Sequence, residues 1–161
     1  MISNQTTLHR VVATVLVVAS GIALMVAVRS AQAAPPAPVS VFIKAERLEG
    51  TRPDGGPVTI NRLNFDAYGN DESAVSGTGK AFSTTGAHVE WSLTGSIDGD
   101  VVTLTGVATD ANNPALIGIP GSIVANAATG TATISWTLTS GPFAGRSGIA
   151  QGEAKVDIRV S

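Results

Sequence analysis

The sequence predicts one all-β domain in which seven or eight short antiparallel strands close into an up-and-down β-barrel, with a β-sandwich as the alternative arrangement. Three observations lead there. Aromatic residues make up 4% and charged residues 14% of the chain, while 18 glycines and many Ser, Thr, Ala and Val residues carry it, a composition that suits short strands better than helices. Several runs alternate apolar and polar residues, the period of a half-buried strand. Clusters of Gly, Pro, Asn and Asp separate these runs at short intervals, so each connection reads as a hairpin turn. Closure would then protect the edges of such plain strands.

The chain opens outside that domain. His9 and Arg10 precede an uncharged apolar run from Val11 to Val28, and Ala31-Gln32-Ala33 then offers a small-x-small cleavage site. Charge, apolar run and A-x-A in this order predict a secretory signal peptide over 1–33, with an uncleaved anchor as the alternative. Ordinary export to a periplasmic or extracellular location is the expectation, with no stable membrane insertion once the segment is removed. Residues 34–38, "APPAP", form a proline-rich lead that cannot enter a central strand. The β domain is expected over 39–161.

Strands follow in order. In "VSVFIKAERL", Val39, Val41, Ile43 and Ala45 share one face, with Ser40, Phe42, Lys44 and Glu46 on the other, up to the turn "EGTRPDGGP". "VTINRLNFDAY" changes parity between Ile60 and Leu63, which predicts a β-bulge near Asn61 and Arg62. "ESAVSGTGKAFS" puts Val75, Gly77, Gly79 and Ala81 on one face, small residues that suit a tight bend or close approach of the opposite wall.

"WSLTGSIDGDVVTLTG" is nearly mirror-symmetric and reads as a hairpin. With Asp98-Gly99 as a two-residue turn, Ile97 meets Asp100, Gly95 meets Val102, Leu93 meets Leu104 and Trp91 meets Gly106, and the apolar side chains share one face. A one-residue slip would set Trp91 and Leu93 among threonines. After the irregular "NPALIGIPGSIV", "TATISWTL" aligns Ile134, Trp136 and Leu138. The last strand, "IAQGEAKVDIRV", is expected to hold Ala150, Gly152, Ala154, Val156, Ile158 and Val160 inward. "VEWSLTGSIDG" also echoes "ISWTLTSGPFAG" with the tryptophans in register, consistent with a duplicated four-strand unit.

Little chemistry suggests itself. Without Arg10 and Arg29 of the leader, eight basic residues face all twelve acids, about −4, which argues against nucleic acid or anionic lipid as a partner. No cysteine is present, so no disulfide is expected. His88, the one histidine after the leader, forms a His-x-Glu pair with Glu90 on a face expected to meet solvent. A single imidazole is a poor start for a metal site. Asp98 and Asp100 lack the further ligand positions of a calcium loop. Asp71 and Glu72 lie at a turn signal. "SGTG" and "TSGP" are no nucleophile elbow, and "GTGKAF" is no phosphate loop. Neither a cofactor nor a metal is expected.

What stands out is apolar. Trp91, Leu93, Trp136 and Leu138 point inward, and Leu116, Ile117 and Ile119 sit in a loop with two prolines that suits a lid, a cavity mouth, a contact patch or a plug. The function expected is therefore a non-enzymatic exported barrel that binds a small apolar ligand or a protein partner of the envelope. The alternatives are a structural or envelope-associated module with a packed core, and a small barrel enzyme that uses carboxylates.

Overall fold

The computed structural model describes residues 37–161; the expected signal peptide and residues 34–36 of the lead lie outside the described residues. The domain is an all-β barrel. Its first strand has two segments, β1 (Val39–Ala45) and β2 (Leu48–Thr51), and there follow β3 (Pro57–Gly69), β4 (Val75–Ser83), β5 (His88–Asp98), β6 (Val101–Ala111), β7 (Pro120–Asn126) and β8 (Thr131–Thr137). The last strand is again divided, into β9 (Ser147–Glu153) and β10 (Lys155–Val160). Each strand pairs antiparallel with the next in sequence, and the first meets the last through β2–β9 and β1–β10. The β-sheet is thus a closed up-and-down barrel of eight strands, two of them divided, rather than a sandwich.

The strands tilt strongly around the axis. Following paired residues around the wall leads from Val39 to Gly69, Val75, Gly95, Leu104, Ile123, Ile134 and Ala150, and closes on Gly50 of the same first strand rather than on Val39. Such stagger is what closing a barrel demands. The side chains on that path and their alternate neighbours face inward, and no polar or charged residue is buried among the described residues.

Irregularities fall where parity must change. Opposite β4, the register of β3 shifts between Ile60 and Arg62, the bulge that the pattern predicts. Ala45 and Leu48 are both buried although three residues apart, so the first strand kinks alongside that bulge. The last strand is not continuous as expected: it breaks at Ala154, because β10 and β9 meet the first strand in registers that differ by one residue. Val156 and Ile158 are only half-buried and Val160 is exposed.

The β5–β6 hairpin differs from the expected pairing by two residues. Ile97 pairs with Val102, Leu93 with Gly106 and Trp91 with Ala108, and Gly99-Asp100, flanked by the Asp98–Val101 pair, forms the turn. Gly99 has φ 56° and no non-glycine among the described residues is positive, Asp100 included, the pattern of a type II′ turn with Gly at its first central position. A two-residue shift keeps every side chain on its face, so burial decides nothing between the two registers. The duplicated four-strand unit is also corrected. Trp91 lies near the start of β5 and Trp136 near the end of β8, three barrel strands later and in the opposite direction, so the two segments are not equivalent.

Candidate functional site

Alternate turns of an up-and-down barrel lie at the same end. Loops 52–56, 84–87, 112–119 and 138–146 gather at one end; the chain enters and leaves at the other, where Ser161 N–H donates to the Pro38 carbonyl at 2.9 Å. The far half of the interior is filled by Val41, Ile43, Phe65, Val75, Leu93, Val102, Leu104 and Ile123, all under 2% exposed. The loop end is hollow.

A cavity of about 210 Å³ lies there. Its floor and walls are Val58, Ile60, Ala81, Val89, Trp91, Ile119, Ile134, Trp136 and Leu138, and Leu116 and Phe143 reach over it from two loops. Polar groups stand at one side of the lining: Arg52 and Asp54, paired at 3.2 Å, and Ser83 and Thr85. Of the residues marked out by sequence, Trp91, Trp136, Leu138, Leu116 and Ile119 come together here. Leu93 sits one rung deeper in the packed half, and Ile117 points outward, 48% exposed.

The tryptophans are placed by glycines. A Cβ on Gly121 would lie 2.3 Å from the six-membered ring of Trp91, and one on Gly148 would lie 2.4 Å from Trp136. Each indole thus occupies the space over a residue without a side chain, Gly148 being the direct cross-strand neighbour of Trp136. Trp91 is 4% exposed and its Nε1–H has no acceptor among the described residues. An unpaired buried donor costs roughly 1–3 kcal/mol, so packing rather than hydrogen bonding holds this ring. Trp136 is half-buried, and its cross-strand partner on β7 is the same Gly121.

The β6–β7 loop is tied down. Asn113 accepts a bond from the Ala115 N–H at 3.1 Å and starts one 3₁₀ turn, Pro114–Leu116. Gly118 N–H donates to the Ala108 carbonyl at 2.8 Å, and Ala108 N–H to the Ile119 carbonyl at 3.0 Å. Leu116 and Ile119 are thereby turned in and Ile117 out.

His88 does not simply face water as expected. Paired across strands with Phe82, it stacks on that ring at 4.6 Å between centroids, and its Nε2 is buried without a hydrogen-bond partner among the described residues, 3.7 Å from Glu90 Oε1. Apolar stacking is what covers it. Glu90 is taken by Lys80, its cross-strand neighbour, and that hydrogen bond holds its carboxyl below the usual glutamate range. Asp71 accepts from the N–H and hydroxyl of Ser73, which likewise lower its pKa and fix a turn. Among the described residues no three His, Cys, Asp or Glu side chains converge.

Sequence reasoning missed Phe143, Val58, Ile60, Ala81, Val89 and Ile134. Phe143 carried a signal, an aromatic residue in the glycine-rich loop "TSGPFAGRSG". The others alternate correctly but nothing in one strand tells its height in the barrel. Comparison with protein-family models, with curated proteins and with solved structures found no match.

Proposed function

We propose that the protein is a binding barrel for a small apolar molecule, admitted at the loop end and held against Trp91 and Trp136. The observation that carries this reading is the apolar cavity beside a filled lower half: the interior closes tightly where it can and stays open at the loop end, where both indoles belong to the lining. Size narrows the ligand. A dry cavity of about 150 Å³ is known to take up benzene, so 210 Å³ suits a compact body of one ring with a few added carbons. A body of that size gains enough from burial for affinities of roughly tens of micromolar. The leader read in residues 1–33 would place such a protein outside the cytoplasm, and the reading involves no catalytic role.

Toluene is a suitable probe. Titrated into the purified protein, it should change tryptophan fluorescence in a saturable way and raise the melting temperature with concentration. Trp136→Ala and Leu116→Ser should each weaken binding at least about tenfold, the loss of one well-packed apolar contact. Ile117→Ser, on the outside of the same loop, should leave it unchanged. If toluene and benzene fail to bind the wild-type protein, the cavity is not a site and the packed structural module becomes the better reading.

A further inference from the structure

The barrel is closed, but the end of its last strand keeps one free edge. Strand β10 pairs with β1 on one side only, and among the described residues no strand lies on its other side. Its hydrogen-bonding parity is set at both ends. Ser161 N–H bonds to β1's neighbour Pro38, so the odd-numbered residues turn their backbone groups towards β1; Ala154 N–H, of even parity, turns the other way and is taken by the Gly130 carbonyl. Val156, Ile158 and Val160 therefore direct N–H and C=O groups at the open side. Their side chains continue the inward row of Ile43, Val41 and Val39, their direct partners, and end at Val160, 58% exposed. An edge of this kind is a template for a further strand.

We infer that β10 is a self-association edge, on which β10 of a second copy of this chain adds antiparallel about a two-fold axis at Ile158. The charge pattern selects both the partner and the register. With Ile158 opposite its own copy, Val156 faces Val160 through reciprocal backbone bonds, and Asp157 faces Arg159 at the two positions without backbone bonds. There side chains come closest, with Cα atoms roughly 4.5 Å apart. Shifting the axis to Asp157 sets Asp157 against itself and Lys155 against Arg159. Shifting it to Arg159 sets Arg159 against itself. Like charges directly opposite are unfavourable, an axis at Val156 would need the Ala154 N–H that the Gly130 carbonyl already holds, and one at Val160 overlaps only the strand end, so the Ile158 register is the one left. Within one chain Arg159 already bonds Asp157 at 2.5 and 3.0 Å, and its guanidinium lies over Phe42 at 5.4 Å, so both charges are held on the outer face at the edge. An isologous contact of this kind closes on itself and stops at two copies.

The added strand is short, so the dimer is a weak one, with a dissociation constant in the micromolar range or above. Sedimentation velocity of the purified protein from about 1 to 500 µM, a span chosen to bracket such a constant, should show a concentration-dependent monomer and dimer. Asp157→Arg, or independently Arg159→Asp, turns both cross-copy pairs repulsive and should weaken association at least about tenfold. The double variant D157R/R159D restores opposite charges across the axis and should restore the dimer. Circular dichroism of each variant shows whether it is folded, and toluene binding at the far end of the barrel should not change. A wild-type protein that stays monomeric at the highest concentration overturns the inference. So does a dimer indifferent to the single variants, or a double variant that remains monomeric although folded.

Discussion

At the scale of single residues, the interior is governed by complementary volume: a ring in one strand and a bare backbone in another. The same clearance gives different consequences at the two tryptophans. Trp91 is enclosed and cannot yield, so Gly121→Ala should force an overpacked arrangement and cost about 1–3 kcal/mol. Trp136 is half-buried and borders the cavity, which leaves room for its ring to shift, so Gly148→Ala should cost less stability but reduce toluene binding. Chemical denaturation of both variants beside their binding curves checks the contrast, and a larger stability loss at Gly148 would contradict it. That the tryptophans point inward was legible from alternation. Which glycine each covers was not, because Gly121 comes to Trp91 across two strands and through the stagger of the whole wall.

At the scale of the element, the β5–β6 hairpin shows what a period of two can and cannot convey. Alternation assigned Leu93, Ile97, Val102 and Leu104 to the interior, and all four are buried. It could not distinguish pairings that differ by two residues, since these present the same faces. The turn backbone makes that choice: Gly99 takes positive φ and Asp100 does not. Gly99→Val should therefore destabilise the barrel by about 1–3 kcal/mol, because a β-branched side chain resists that conformation. Asp100→Ser should cost far less. Matching denaturation midpoints for Gly99→Val and Asp100→Ser would show that the turn is not centred where the pairing places it. The broken last strand belongs to the same scale: its alternation is the most regular in the chain, yet a one-residue mismatch against the kinked first strand divides it.

At the scale of the molecule, the barrel is polarised. One end carries Pro38 and Ser161, a filled interior and the free edge of β10, while the other carries four loops and the cavity. Closure itself was foreseeable from plain strands joined by hairpins, but the division into a filled and a hollow half depends on relative strand heights, which the chain determines only collectively. Circular permutation tests the division directly. Pro38 and Ser161 are hydrogen-bonded neighbours, so a short glycine linker joining them closes a small loop at little entropic cost. Opening the joined chain between Gly99 and Asp100 cuts a turn at the filled end and leaves every residue of the cavity in place. That permutant should fold and bind toluene as the parent does. Opening it between Ile117 and Gly118 instead frees Leu116 and Ile119 from their shared loop, and this permutant should remain folded, by circular dichroism and by an unchanged denaturant slope, while losing the probe. If the first permutant loses binding and the second keeps it, the hollow end has been assigned to the wrong side of the barrel.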